Sequence, residues 1–387
     1  MQKNTFLITV LLAAISYFPQ ISAQCINGFL PTGTPCGGTI QTAVPFLMIA
    51  PDARSGGMGD VGIALSPDAN ALHFNASKLA FAKEGFGTSL SVTPWLGNLG
   101  VTDIFMGYGS AFLKVGKEKN NAVGLAIRYF SLGSRTSTDI NGNFLSEGKA
   151  FELETALSYS KKLNEHFAMG LTAKYIHSDL APNQTSSPGS EDITAGKSVA
   201  FDLSLTYQKP FRFVRFASDL TVGLVVKNVG SKIMYFRSAD YLPANLGIGA
   251  AWKNRFAKHH VFTLAADANK LLVPTPNPLS INQEWRNQSL IPSILNSFSD
   301  APGGFSEELQ EINASFGIEY VFHEILSLRG GYFYENALKG GRQYYTFGLG
   351  LNYKAVGVNF SYLLPSNVGR NPLDNTLRFS LLFKSLK

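Results

Sequence analysis

The chain is poor in charged residues, in cysteine and in long apolar segments. Asp, Glu, Lys and Arg make up 16% of its 387 residues, against about 25% in an average soluble domain. Beyond the first 23 residues, no segment reaches the ~18 consecutive apolar residues of a transmembrane helix. The formal net charge of +6 comes without a dense basic cluster, so we expect no nucleic-acid partner. These shortages disfavour an ordinary soluble domain, a helical membrane protein and a nucleic-acid-binding protein.

The N-terminus predicts export, and export decides how the two cysteines are interpreted. Lys3, the apolar run at residues 6–15 and small residues up to Ala23 are typical of a secretory signal peptide over residues 1–23. An exported chain enters an oxidising compartment, so we expect a disulfide between Cys25 and Cys36. Two cysteines are too few ligands for a structural metal site.

Phenylalanine, tyrosine and glycine are abundant instead, with 29, 15 and 37 residues respectively. Many segments alternate between large apolar and small or polar residues, as in Phe201-Asp202-Leu203-Ser204. Successive side chains of a strand point to opposite faces, and a transmembrane strand needs about 9–11 residues. The pattern predicts fourteen strands, near residues 85–94, 103–113, 121–132, 150–161, 166–177, 197–208, 217–228, 244–252, 260–268, 313–322, 325–334, 343–353, 356–364 and 376–384.

The connections between these strands alternate in length. The even-numbered ones are short, down to the two residues His323-Glu324, whereas the odd-numbered ones extend to the 44 residues of 269–312. Outer-membrane barrels have an even strand number, short periplasmic turns and long extracellular loops. We therefore predict an all-β, transmembrane antiparallel barrel of 14 strands over residues 85–387, in a Gram-negative outer membrane with the N-terminus periplasmic. A soluble β-sandwich would carry charge on the face that here carries Leu, Phe, Tyr and Val.

Residues 24–84 lack the strand period and contain a glycine-rich stretch from Gly56 to Gly62. A phosphate-binding loop is one interpretation, but no Lys-Ser or Lys-Thr pair follows the glycines. Glycine also permits close backbone approach, and a barrel of fourteen strands leaves an interior to be filled. We therefore predict that residues 24–84 form an N-terminal periplasmic and plug segment that enters the lumen.

The plug segment has a recognisable order of short motifs. Ala-Pro-Asp is followed by Arg54, then by Gly-Gly-Met-Gly-Asp-Val-Gly, Ser-Pro-Asp-Ala-Asn and Phe-Asn. This order resembles the N-terminal signature of the PorV family, barrels of the type IX secretion system of Bacteroidetes that belong with the FadL-like plugged barrels. One departure is Ala76 after Asn75, where FadL-like plugs have proline, and it predicts a looser turn. The plug motif consists of Arg54, Gly56, Gly57, Gly59, Asp60, Asp68, Asn70 and Asn75.

The resemblance implies a non-enzymatic component of type IX secretion, without cofactor or metal. Its implied partners are secreted cargo, bound through a C-terminal signal domain, the translocon barrel, a cell-surface sortase and outer-membrane lipid. The chain would act as a shuttle or adaptor that receives cargo from the translocon and delivers it to the sortase. From the fold alone, a second interpretation is a FadL-like channel for hydrophobic small molecules, which requires a continuous apolar tunnel.

The long connections are candidates for partner binding. The connection at residues 269–312 is far longer than a loop that only joins two strands. It contains Trp285, Phe298 and Phe305, together with the sequence Ser306-Glu307-Glu308, which is typical of a helix start. Aromatic residues on a rigid rim are typical of protein contacts, although the loop could equally fold inward as a lid. We predict partner-binding roles for Phe144, Leu145, Trp285, Phe298 and Phe305.

Few residues suggest catalysis or metal binding. A lipid-modifying enzyme would need a Ser and a His on the membrane face, and His177 with Ser178 is the candidate pair. No Gly-x-Ser-x-Gly motif accompanies it. His259 and His260 have no further ligands nearby and are interpreted as a solvated turn.

Charged residues within the predicted strands are expected to face the lumen. Glu152 and Glu154 alternate with apolar residues, and Arg128 and Lys174 lie on the neighbouring strands. We interpret them as structural ion pairs that connect wall to wall or wall to plug, with a substrate path as the alternative.

Overall fold

The structure is a computed structural model, and it describes residues 39–95, 101, 103–138, 141–182, 194–213, 216–235, 239–257, 259–276, 284–366 and 375–385. The predicted signal peptide over residues 1–23 and the predicted pairing of Cys25 with Cys36 lie outside this part of the chain. Both therefore stay predictions.

Fourteen antiparallel strands form one closed barrel, which confirms the predicted fold class and strand number. Each barrel strand pairs with its neighbours in chain order, and the first and last strands close the barrel through register pairs from Gly87 with Lys384 to Val92 with Phe379. The barrel strands are β1 (Phe86–Pro94), β2 (Ile104–Val115), β3 (Asn121–Thr138), β4 (Phe144–Lys162), β5 (Phe167–Asp179), β6 (Gly196–Phe213), β7 (Phe216–Gly230), β10 (Asn245–Ala257), β11 (His260–Leu271), β12 (Ile312–Phe322), β13 (Leu326–Tyr334), β14 (Gln343–Tyr353), β15 (Val356–Pro365) and β16 (Leu377–Lys384). Two short strands, β8 (Ile233–Met234) and β9 (Ala239–Asp240), form a separate hairpin.

The alternating sequence places apolar side chains outside and polar side chains inside. In β6, Phe201 and Leu203 are exposed on the outer face, while Asp202 and Ser204 are buried on the inner face. The same alternation in the other barrel strands gives an outer surface of Leu, Phe, Val, Ile and Tyr. An apolar surface of this extent is stable only where hydrocarbon replaces water. The closed sheet meets a second requirement of hydrocarbon, because it leaves no strand edge with unpaired backbone groups.

The two ends of the barrel differ as the connection lengths predict. One end carries two- to five-residue turns, and we call it the short-turn rim; the other carries the long connections, and we call it the long-loop rim. At the short-turn rim, His323 (φ 54°) and Glu324 (φ 59°) are both left-handed, and the Ile325 amide donates to the Phe322 carbonyl at 3.0 Å, as in a type I′ turn.

One predicted loop is largely strand. The connection expected at residues 134–149 is shortened because β3 continues to Thr138 and β4 begins at Phe144, with Ser134 paired to Lys149. The sequence prediction was wrong here because it required outward apolar residues. A hairpin that extends beyond the membrane has water on both faces, so its polar residues need not alternate.

Residues 39–84, which we call the luminal segment, begin at the long-loop rim, where the exposed Thr39 donates to the Leu338 carbonyl at 3.4 Å, and then enter the barrel. They contain 3-10 helices at Pro45–Met48 and Ala76–Phe81 and α-helices α1 (Ala53–Gly56) and α2 (Ala71–Phe74). Their hydrogen bonds reach inward-facing residues on widely separated strands, such as Ser380 of β16, Asp267 of β11 and Thr206 of β6. Only a position within the lumen allows contacts with strands on opposite sides.

The connection between β11 and β12 contains short helices. They are a 3-10 helix at Glu284–Asn287, α3 (Leu290–Asn296) and α4 (Phe305–Gln310), and a further 3-10 helix, Ala337–Lys339, lies between β13 and β14. Helix α4 confirms the helix start predicted at Ser306. No helix in the described ranges is both long and apolar enough to span a membrane.

Candidate functional site

The luminal segment is attached to the barrel wall through Arg54. This residue follows Asp52, whose carboxylate accepts a hydrogen bond from the Ser55 amide at 2.9 Å and so caps helix α1. The guanidinium binds both oxygens of Glu319 on β12, at 3.0 Å each, and Asp68 of the luminal segment at 2.9 Å. Arg329 on β13 binds the same Glu319 at 2.9 Å. Two cations therefore share one buried carboxylate between segment and wall.

The glycines of the motif lie against the backbone of the wall. A Cβ atom on Gly57 would lie 2.8 Å from Gly348 Cα, and one on Gly59 would lie 2.7 Å from backbone atoms of Phe316 and Tyr332. On Gly56, a Cβ would lie 2.5 Å from the Arg378 guanidinium. Gly59 also has φ of +70°, which favours glycine. These contacts occupy the space that a phosphate would need.

Asp60 ends the glycine-rich turn and binds two strands. Its Oδ2 accepts a hydrogen bond from the Tyr344 hydroxyl at 2.6 Å, and its Oδ1 accepts one from Arg378 at 3.1 Å. Tyr344 and Arg378 are both fully buried. Asp60 therefore holds the turn against β14 and β16.

The second half of the motif is ordered by asparagine and aspartate side chains. Asp68 Oδ1 accepts a hydrogen bond from the Asn70 amide at 2.9 Å, immediately before helix α2. Asn75 donates to Thr206 on β6 at 3.0 Å and accepts from the Ser77 amide at 3.1 Å, which caps the 3-10 helix Ala76–Phe81. The loose turn expected from Ala76 is not found, because the Asn75 side chain closes it without proline.

A chain of buried charges crosses the inner wall from β3 to β6. Glu154 lies 3.2 Å from Arg128 and 3.4 Å from Lys174, and Lys174 lies 2.7 Å from Asp202. Glu152, predicted to belong with them, instead accepts a hydrogen bond from Ser178 at 3.0 Å. The ion pairs connect neighbouring strands.

Arg128 also reaches the luminal segment. It donates to the Phe46 carbonyl at 2.8 Å and to Nδ1 of His73. Burial, reinforced by the positive charge of Arg128, holds the pKa of His73 well below its usual range, so the neutral ring can accept this hydrogen bond. The charges therefore link wall to wall and wall to luminal segment.

His177 and Ser178 do not form a catalytic pair. They are consecutive in β5 and so point to opposite faces: Ser178 is buried inside, while the His177 ring lies on the outer face at 5.5 Å from the Phe151 ring. At the short-turn rim, the His259 and His323 rings stack at 3.9 Å. Within the described ranges, no group of three His, Cys, Asp or Glu residues is placed to hold a metal ion.

The connection between β11 and β12 presents an apolar surface at the long-loop rim. Five large side chains of this region are 48–76% exposed, and we call them the loop patch: Ile291, Leu295, Phe298, Phe305 and Leu309. Ile291 and Leu295 are four residues apart in helix α3, as are Phe305 and Leu309 in α4, so each pair shares one helix face. Large apolar side chains that remain exposed on an outer connection are candidates for partner contact.

Buried charges hold the loop patch to the barrel. Lys270 at the end of β11 lies 2.8 Å from Glu308 and 2.6 Å from Glu311, and Lys339 lies 2.5 Å from Glu307 and 2.9 Å from Glu311. Burial alone would raise the pKa of Glu311, but hydrogen bonds from Lys270, Thr275 and Lys339 outweigh it and lower the pKa. These ion pairs hold helix α4 against the end of β11 and the neighbouring connection, so the part of the loop that carries Phe305 and Leu309 is a braced platform.

Sequence comparison identifies the family. A family model described as "Type IX secretion system protein PorV" matches residues 36–278, more than half of the chain. The chain belongs to the PorV family. No curated protein matches it by sequence.

Solved structures of other proteins resemble this PorV-family chain. A TodX deletion mutant, a monoaromatic hydrocarbon channel, is 13% identical over 87% of this chain and 99% of its own, with a TM-score of 0.52. The toluene transporter TbuX of Ralstonia pickettii is 13% identical over 87% and 98%, with a TM-score of 0.46. A FadL homologue of Pseudomonas aeruginosa is 10% identical over 90% and 99%, with a TM-score of 0.43. At 13% identity the likeness to the TodX mutant concerns the fold alone.

Family and fold together place the chain among outer-membrane components of type IX secretion, in a family of non-enzymatic kind. The residues of the predicted plug motif lie together inside the barrel, where they contact β6 and β12–β16. The predicted loop residues are not brought together. Phe298 and Phe305 belong to the loop patch, Phe144 is exposed at the start of β4, and Trp285 is half-buried. The Leu145 side chain lies outside the described part of the structure.

Three residues of the loop patch escaped the sequence prediction. Ile291, Leu295 and Leu309 are aliphatic, whereas the prediction for this connection rested on its aromatic residues. Their four-residue spacing to each other or to Phe305 is the signal that could have found them. No comparable spacing in the sequence predicts that Glu319 and Arg378 of the wall bind the plug motif.

Proposed function

We propose that the chain is a non-enzymatic adaptor of type IX secretion that binds the C-terminal signal domain of secreted cargo at its long-loop rim. It receives this cargo from the translocon barrel and delivers it to the cell-surface sortase. Family membership supports the secretion role. The loop patch is the observation that carries the binding role, because five large apolar side chains are exposed on a braced platform.

The orientation of the barrel supports the same role. Long connections are extracellular and short turns periplasmic in outer-membrane barrels, and this rule supports a position of the loop patch outside the cell, on the side to which cargo is exported. The luminal segment is bound on several sides by polar wall residues such as Arg128, Asp267 and Thr346. The barrel then serves as an anchor for the loops.

The channel alternative needs a continuous apolar tunnel through the lumen. Asp267 and Thr346 of the wall bind the luminal segment through hydrogen bonds. Apolar wall residues such as Phe130 pack directly against it. These contacts favour a filled lumen, and we do not propose transport of small molecules.

The test is a set of substitutions in the loop patch. We expect Phe305→Ser combined with Leu309→Ser to abolish co-purification of cargo with the barrel and to retain cargo in the periplasm. Point substitutions are preferable to deletion of the loop, because a deletion would also remove the hydrogen bonds of Thr275 and Asp300 that brace it. Leu338→Ser, at an exposed leucine of the neighbouring connection, is the matched control. Unchanged cargo capture in the double variant, with normal barrel insertion, would refute the role of the loop patch.

A further inference from the structure

The outer wall of the barrel contains a groove of about 640 Å³ between β7 and β14. Its floor is formed where small residues replace the large outward residues found elsewhere. Ala250 on β10 pairs with Ala266 on β11, and Gly330 on β13 lies between Ile318 and Phe347 on its neighbours. The volume lies within the ~300–1,000 Å³ typical of small-molecule sites.

The wall is thin at this groove, because its inner face is also built from small residues. Gly317 and Gly331 alternate with the outward residues and press on Met58 and Gly59 of the luminal segment. Ala251 and Ala265 pack with Met58 in the same way. The luminal segment therefore packs directly behind the floor of the groove.

We infer that this groove binds one acyl chain of an outer-leaflet lipid. The groove belongs to the membrane-facing surface, so the medium that reaches it is hydrocarbon. Its sides are large apolar residues, chiefly Trp252, Phe316 and Phe347. One end lies at Tyr332 and Tyr345, whose rings are 4.9 Å apart near the long-loop ends of β13 and β14. Tyrosine marks the membrane–water interface, which is where a lipid headgroup would sit.

The concave shape favours a flexible chain over a protein surface. Another barrel would approach with a convex wall and leave the groove empty, and atoms lining an empty space lose their dispersion contacts. An acyl chain that descends from the interface can follow the groove from Tyr332 towards Trp252.

Trp252 provides the experiment. A single-tryptophan protein, made with Trp95→Phe and Trp285→Phe, is purified in mild detergent and titrated with phosphatidylethanolamine brominated along its acyl chains. We expect quenching of Trp252 fluorescence that saturates at one lipid per barrel. Gly330→Leu should abolish the saturable part, and it should fold, because a Cβ there meets its nearest atom, on Ile318, at 3.6 Å.

The matched control is Ala173→Leu, at an exposed outward alanine of β5, which should retain saturable quenching. Native mass spectrometry of the protein extracted from outer membranes should then find one lipid adduct that Gly330→Leu loses. Quenching that rises linearly with lipid and is equal in both variants would overturn the proposal. So would a membrane protein that co-purifies through the groove and is lost in Gly330→Leu. Neither result depends on cargo binding.

Discussion

Arg54 and Glu319 form a two-point ion pair between the luminal segment and strand β12, with both nitrogen–oxygen distances at 3.0 Å. The two residues are 265 positions apart in the chain. Arg54 is pre-positioned by Asp68, and Glu319 by Arg329. The pair therefore joins two networks that each belong to one part of the structure.

Arg54→Met is expected to weaken the attachment of the luminal segment by about 3 kcal/mol, because removal of one partner leaves a buried charge partly unpaired. Hydrogen exchange of residues 53–68 measures the change. Arg255→Met is the control. The Arg255 side chain is 37% exposed, so its ion pair with Asp219 should contribute little to stability. Equal effects of the two substitutions would contradict the prediction.

Gly59→Ala is expected to destabilise the barrel by at least about 1–2 kcal/mol, because left-handed backbone disfavours other residues and the new Cβ meets the wall backbone at 2.7 Å. The heat-modifiable shift of the folded barrel on gels gives the change in midpoint. Gly107→Ala should leave that midpoint unchanged, since nothing lies within 4 Å of its Cβ position. A stable Gly59→Ala variant would mean that the segment can move away from the wall.

Glu311→Gln is expected to loosen residues 290–310 by roughly 1–3 kcal/mol, because the buried Lys270 and Lys339 lose a shared charged acceptor. Since the folded pKa of Glu311 is lowered, its contribution is present above its unfolded pKa and is lost as the pH falls through the folded value. Limited proteolysis of the loop follows this change. Glu307→Gln should have a smaller effect, because Glu307 is more exposed and pairs with Lys339 alone among the ion pairs described.

Asp300 should give the loop an opposite dependence on pH. Burial raises the pKa of Asp300 to about 6, so the folded loop binds the proton more tightly than the unfolded loop does. Stability from this residue is full below its unfolded pKa of about 3.8 and is lost as the pH rises through about 6.

Asp300→Asn should remove this dependence while it keeps an acceptor for the Thr275 amide. Proteolysis rates of the loop at pH 5 and pH 7 test the prediction: the wild type should be cut faster at pH 7, and the variant equally at both. Glu118→Gln, in the turn between β2 and β3, should behave as the wild type does. A variant that keeps the wild-type difference would exclude Asp300 as its origin.

Predictions from sequence succeeded where structure depends on neighbours in the chain. Phe201 and Asp202 must face opposite sides of a strand, so their chemistry alone assigns the outside and the inside of the barrel. The hairpin at residues 134–149 shows the limit, because outside the membrane a strand no longer needs the apolar face by which it was detected.

The loop patch is an intermediate case. The spacing of Phe305 and Leu309 is visible in the sequence, but a helix face with that spacing is more often buried than exposed. Its exposure depends on Lys270 and Lys339, which hold α4 by its acidic side. The groove is less visible still, since Ala250, Ala266 and Gly330 become neighbours only through strand register.

The sequence by itself determined the strands, their two faces and the alternation of turns and loops, because each depends on side chains a few residues apart. The tertiary structure decided what the glycine-rich segment contacts, which loop residues are exposed and where the wall is concave. Those features join positions as distant as Asp60 and Arg378. Closure of the barrel brings Asp60 and Arg378 to 3.1 Å from each other, and no local periodicity of the sequence predicts that contact.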